Sequence, residues 1–334
     1  MKAAITTTPG TVEVLDVPSP YVEDQALVAL ERMGLCGTDV KVLQGTVPVE
    51  RPRILGHELV GFVVEPGPLG LVSAGQRVMV NPSLSCGHCR ECRRGAPHRC
   101  SNGALLGRDV DGGFAELLAI GERQLHVVPD GVSSEASSSL QVLGTCVHAQ
   151  HMIEVFPGQT AVVVGLGVSG FLMLQLLRAR GIERVVGVTR AAWKQELAKE
   201  LGAIAVATPD QAADVVADVT SGNGADVVVE AVGTTGTLAQ AISLAGIGAT
   251  VCLFGTITAS KADALPFYDL YYKELTLRNP RAATASDYDE AIRLAASDIV
   301  QLRPLWTHGF ALDEVAQAFE ALNDPTALKV TLQA

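Results

Sequence analysis

Ala161-Val162-Val163-Val164-Gly165-Leu166-Gly167-Val168-Ser169-Gly170 is a β-rich apolar run that passes directly into glycines spaced as G-x-G-x-x-G. The spacing alone is a weak signal. Its surroundings are what such a motif requires: a strand-like run before it and an apolar helical stretch, Gly170–Arg180, after it. Gly165 permits a tight turn, Gly167 lets the backbone approach a pyrophosphate, and Gly170 lets the helix pack on the strand. The helix N-terminus then offers amides and a positive dipole end to an anion, with Val168 among the residues of the turn. The plainer alternative is a glycine turn in a sheet domain that holds no cofactor.

Outward from this turn, apolar strands alternate with helices. Further strands are expected at Arg184–Val188, Ala205–Ala207, Asp226–Glu230, Thr250–Phe254 and Leu275–Arg278, with helices at Ala192–Leu201, Pro209–Thr220 and Thr235–Leu244. Continuous apolar strands alternating with helices specify a doubly wound parallel sheet covered on both faces. Thr160–Leu177 is apolar enough to raise the question of a membrane span, but Gly165, Gly167, Ser169 and Gly170 punctuate it as strand, turn and helix. Upstream, residues 1 to about 135 read as short strands separated by Gly and Pro, at Val12–Val17, Ala26–Met33, Glu58–Val64, Arg77–Val80 and Phe114–Ile120. One helix is expected from Ser133-Ser134-Glu135 to about Val155. After Pro280 come two helices, Ser286–Ala296 and Leu312–Leu322, and a last strand, Lys329–Leu332.

The 334 residues suffice for two domains, and 48% apolar with 4% aromatic residues and 33 glycines suits an α/β protein. A net charge of −11 argues against a nucleic-acid partner and against an anionic membrane surface. The N-terminal Met1-Lys2-Ala3-Ala4-Ile5 leads straight into threonines, which is not the pattern of a secretory signal. A cytoplasmic location is therefore expected, and with it metal binding rather than disulfides for the seven cysteines.

Four of those cysteines, Cys86, Cys89, Cys92 and Cys100, follow the spacing C-x2-C-x2-C-x7-C. Four thiolates in one short loop make a closed tetrahedral zinc site, structural because no position is left for substrate. An iron–sulfur run would place Pro after the fourth Cys, where Ser101 stands here. A second donor group is spelled by Gly34-Leu35-Cys36-Gly37-Thr38-Asp39 together with Gly56-His57-Glu58. Thiolate and imidazole are ligands zinc prefers, Asp39 can orient the imidazole, and Thr38 can pass a proton. The alternative is a small buried Cys and an unrelated His. On the helix at 135–155, Gln141 and Thr145 share a face, and either Gln141 or Cys146 offers one more ligand.

The end of the second strand of the sheet chooses between the dinucleotides. A ribose 2′-hydroxyl is usually held there by Asp or Glu. This chain has Val188-Thr189-Arg190, with Lys194 four residues on, a set that favours the 2′-phosphate of NADP over NAD. The alternative is a solvated Arg190, with NAD bound without a carboxylate.

In this order, the two donor segments, the cysteine loop and the glycine turn resemble the zinc-dependent medium-chain alcohol dehydrogenases, in particular the sorbitol, threonine and polyol dehydrogenase branch. The resemblance covers nearly the whole chain. It implies a GroES-like β-rich catalytic domain at residues 1–143 and 281–334 and a Rossmann domain at 144–280. It implies Cys36 and His57 as catalytic zinc ligands, Glu58 as a carboxylate able to approach the metal, and Asp39 as the partner of His57. Thr38 would hydrogen-bond the substrate oxygen, Thr145 would line the nicotinamide, and Lys329 would lie near the cofactor phosphates. It further implies two zinc ions per chain, an alcohol or carbonyl substrate, and a homodimer or homotetramer joined through the last strand of the Rossmann sheet, near Glu274–Asn279. Three departures stand out. Gln141-Val142 replaces a Glu-Pro pair, Lys41 stands where relatives carry a proton-relaying His, and Thr189 replaces the acidic residue. Two rivals remain: a zinc-independent quinone or enoyl reductase, and an inactive dinucleotide-binding protein keeping only the structural zinc.

Overall fold

The structure is a computed structural model that describes residues 1–257 and 265–334. Its backbone falls into two compact units. The first comprises Met1–Gly144, Ala282–Ser297 and Leu302–Ala334, and the second comprises Thr145–Arg281 and Asp298–Gln301.

The second unit is built on a six-stranded parallel sheet. The spatial order is Ala205–Ala207, Arg184–Val188, Thr160–Val164, Ala225–Glu230, Ala245–Leu253, Thr276–Arg278. The central strand Thr160–Val164 is buried at every residue, as a strand covered on both faces must be. Val162, Val186, Val228 and Val251 pack with Ala241 and Ile242 in its core. The chain direction of strand addition reverses between Thr160–Val164 and Ala225–Glu230, so the carboxyl ends of these two strands form the switch point where such sheets bind ligands. Thr160–Leu177 is accordingly strand, turn and helix, and among the described residues no helix is long and apolar enough to cross a membrane.

The first unit holds a mostly antiparallel sheet in the order Leu125–Val127, Arg77–Val80, Glu58–Glu65, Ala26–Gly34, Lys329–Gln333, Trp306–Ala311, with Leu117–Ile120 also paired to Ala26–Gly34. Ala26–Gly34 alternates buried with half-buried residues along most of its length, the period-2 pattern of a strand with one face in the core. The chain's last strand, Lys329–Gln333, is thereby laid beside Ala26–Gly34, with Thr331 opposite Gly34, which in turn stands opposite Glu58.

Three expectations need correction. The helix expected from Ser133 to Val155 is two, Ser134–Ser137 and Leu140–His151. Ser137 and Ser138 turn their hydroxyls back onto the carbonyls of Ser134 and Glu135, each at 2.6 Å, which competes with helical bonding at the break. Trp306–Ala311 is a strand, parallel to Lys329–Gln333, that periodicity did not reveal. The fifth strand of the parallel sheet begins at Ala245, directly from the preceding helix, five residues before its expected start at Thr250.

Candidate active site

The first donor segment sits at a helix start. Cys36 precedes the helix Gly37–Leu43, and the Oδ2 of Asp39 accepts the Cys36 backbone N–H at 2.9 Å. The other Asp39 oxygen accepts the Gly56 N–H at 3.3 Å, so one buried carboxylate ties both donor segments together. Gly56 is required where it stands. Its φ is +96°, and a Cβ there would enter the ring of Phe114.

His57 Nδ1 lies 3.2 Å from Asp39 Oδ1, within ion-pair reach but off the direction a hydrogen bond needs. Burial works against charge on the ring, but Asp39 and Cys36 outweigh it and hold the His57 pKa well above its ordinary value. A pocket that draws a proton onto a buried imidazole is also one that draws a metal cation. The donor atoms of Cys36, His57 and Glu58 all lie within 4.8 Å of one another, so they fit a zinc ion. Thr38 and Lys41 follow Cys36 on the same helix, three residues apart and both half-buried. Cys146 belongs to the second unit. It is buried, its thiol is pushed up by desolvation, and its sulfur contacts the Ser169 carbonyl at 3.8 Å.

Lys329, expected near the cofactor phosphates, begins the last strand, Lys329–Gln333. Its ammonium is bonded to Glu58, and both residues are only 2% exposed. A second feature the sequence did not signal is Tyr288, fully buried, whose hydroxyl accepts the Gln141 amide N–H at 3.4 Å. Gly144, one turn on from Gln141, leaves the space its ring needs, since a Cβ there would overlap that ring.

The cysteine loop is preassembled. Its sulfurs lie 3.5 Å apart for Cys89–Cys92 and Cys86–Cys100, and 3.8 Å for Cys89–Cys100. Those separations are far beyond a disulfide bond and close to the roughly 3.8 Å edge of a tetrahedron with Zn–S of about 2.3 Å. The backbone N–H groups of Cys92 and Ser101 lower the Cys89 thiol pKa, while burial and the neighbouring thiols raise that of Cys92, so the cluster favours charge on some of its sulfurs before all four.

In the second unit, a cavity of about 430 Å³ is lined by Gly165, Gly167, Thr189, Arg190, Lys194 and Thr237, among others, and none of its lining residues is acidic. A Cβ on Gly170 would strike the Gly165 carbonyl, and one on Gly165 would strike Val232, whereas one on Gly167 would meet nothing. Gly167 thus leaves a cradle beneath the N-terminus of the helix Val168–Ala179, as a pyrophosphate requires. Lys194 is half-buried beside Trp193, and desolvation lowers its pKa. Sequence reasoning missed Glu230. This buried carboxylate at the switch point accepts the N–H groups of Val232 and Gly233 at 2.8 Å and the Thr237 hydroxyl at 2.7 Å, shaping the loop beside the cavity. An acidic residue closing an apolar strand of a parallel sheet was the available signal.

Comparison with known proteins meets this geometry. The profile of the alcohol dehydrogenase GroES-like domain matches residues 22–130, and that of zinc-binding dehydrogenases matches 168–297. A zinc-type alcohol dehydrogenase-like protein of Haemophilus influenzae is 30% identical over 332 residues, spanning 97% of this chain and 95% of its own. A sorbitol dehydrogenase of Halalkalibacterium halodurans is 31% identical over 345 aligned positions, with 99% of each chain covered. Among solved structures, one assigned as a zinc-binding dehydrogenase of Sinorhizobium meliloti 1021, bound to NADP, superposes with a TM-score of 0.91 at 31% identity, over 100% of this chain and 99% of that one.

Proposed function

The chain belongs to the zinc-binding alcohol dehydrogenases, and on that premise we propose that Cys36 and His57 hold a catalytic zinc while Cys86, Cys89, Cys92 and Cys100 hold a structural one. The protein is an NAD(P)-dependent oxidoreductase acting on the CH–OH group of a small alcohol, with a polyol, sugar or amino alcohol as the substrate class. The observation that carries the site assignment is the convergence of Cys36, His57 and Glu58 to within 4.8 Å.

When bound, zinc supplies Lewis acidity to an alcohol oxygen and the nicotinamide supplies a hydride acceptor. The chain's residues do the rest. Asp39 fixes the His57 ring and the Cys36 backbone. Thr38 takes the hydroxyl proton, and Lys41, on the same side of the helix, passes it outward. Gln141 faces the same chemistry with a neutral amide where a carboxylate would lower the site's positive charge, and Tyr288 holds that amide. Gly165, Gly167, Val168 and Gly170 cradle the pyrophosphate, and Thr145 lines the nicotinamide. Thr189, Arg190 and Lys194 take a 2′-phosphate, so NADP is preferred over NAD; the absence of acidic residues from the cavity lining supports this.

The protein acts as a homodimer or homotetramer through the edge strand Thr276–Arg278, whose residues are all exposed. Seven unpaired cysteines suit the reducing cytoplasm. The test is a panel of alcohols, polyols, sugars and amino alcohols, each offered with NAD and with NADP and read at the reduced-nicotinamide absorbance. Alcohol-dependent reduction stronger with NADP is expected; a clear preference for NAD would contradict the roles given to Arg190 and Lys194.

A further inference from the structure

Three neighbouring strands bring one ion pair to the metal donors. Gly34 ends the middle strand, Glu58 begins the strand on one side, and Lys329 begins the strand on the other. A Cβ on Gly34 would lie 2.6 Å from Lys329 Nζ, 2.7 Å from its Cε and 2.7 Å from Glu58 Oε2. The Lys329–Glu58 pair therefore lies across the place where a side chain at residue 34 would be. Both ends of that arrangement abut ligands, since Cys36 is two residues beyond Gly34 and Glu58 follows His57. Glu58 consequently has two competing uses, as the partner of a buried ammonium and as a third donor beside Cys36 and His57.

We propose that Lys329, reaching through the gap left by Gly34, is a positioning residue that holds the Glu58 carboxylate back from the catalytic metal and keeps a coordination position open. The inference rests on the catalytic-zinc reading above. The charge balance favours it. With Lys329 paired to Glu58, that carboxylate's charge is already compensated, and the Cys36 thiolate is the anionic donor left for a divalent ion, with Asp39 held behind His57. With Lys329 removed, a buried carboxylate loses its cation, and the nearest replacement is the metal. A lysine serving only to neutralise Glu58 would alter stability without altering how Glu58 treats the metal.

The experiment compares zinc-loaded wild type with Lys329→Met, Lys329→Arg, Glu58→Gln and the double variant Glu58→Gln/Lys329→Met. Zinc loss to excess chelator is followed over time, together with kcat and KM for the best alcohol of the panel. Lys329→Met is expected to release its catalytic zinc roughly tenfold more slowly and to lose roughly tenfold in kcat, the size of change typical of groups that orient metal ligands. Lys329→Arg keeps the charge and releases zinc at the wild-type rate. Glu58→Gln also releases zinc at the wild-type rate, because the carboxylate is not a standing ligand, and the double variant matches Glu58→Gln. Equal or faster zinc loss from Lys329→Met overturns the proposal, as does a double variant as slow as Lys329→Met. Should Lys329→Met fail to fold, Glu58→Gln decides: zinc loss tenfold faster than wild type would make Glu58 a resident ligand and end the proposal. Wild type holding only one zinc per chain would instead refute the underlying catalytic-zinc reading, so the two failures are told apart.

Discussion

At the scale of single residues, the site is a set of charges fixed by backbone hydrogen bonds. Asp39 spends one oxygen on the Cys36 amide and the other on Gly56 and the His57 ring, so its loss would loosen both donor segments together. Asp39→Asn is expected to lower zinc affinity roughly tenfold or more, measured by competition with a metal indicator. On the proposed role of Arg190 at a 2′-phosphate, Arg190→Ala would remove one charge-assisted contact of about 1.5–3 kcal/mol, so KM for NADP should rise tenfold or more while KM for NAD stays nearly constant. Most of these residues could be read from the sequence because donors and glycines lie close together along the chain: Cys36 to Asp39, Gly56 to Glu58, Gly165 to Gly170. Lys329 could not. Its partner Glu58 is 271 residues away, and a lysine in an apolar strand gives no sign of which carboxylate it meets. Tyr288 was hidden for the same reason, 147 residues from Gln141.

At the scale of elements, glycines set where strands, turns and helices can touch. Gly170→Val would drive a side chain into the Gly165 carbonyl and push the helix Val168–Ala179 off its strand. It is expected to weaken dinucleotide binding at least tenfold by fluorescence titration while the zinc content stays that of wild type. Gly34→Ala inserts a methyl between Lys329 and Glu58, and thermal unfolding should register a loss of about 1–3 kcal/mol. The parallel sheet was legible because strands buried on both faces are written as unbroken apolar runs, such as the fully buried Thr160–Val164. Trp306–Ala311 was not, because it is an edge strand of mixed polarity with Gly309 inside, and its place is set by pairing with the chain's last strand. The break between Ser134–Ser137 and Leu140–His151 was masked by apolar periodicity that continues past the serines.

At the scale of the whole molecule, the N-terminal and C-terminal segments share one unit, and the dinucleotide turn lies in the chain between them. The unit with both termini carries two separate zinc donor sets, one closed by four thiolates and one left with a thiolate, an imidazole and a carboxylate already engaged by Lys329. That difference is the central claim: one metal supports structure and the other does chemistry. Zinc per chain, measured by mass spectrometry on purified wild type and on Cys36→Ser, tests it most directly. The account requires two zinc ions in wild type and one in a folded but inactive Cys36→Ser. A single zinc in wild type, or two in a Cys36→Ser variant that retains full alcohol oxidation, would contradict it.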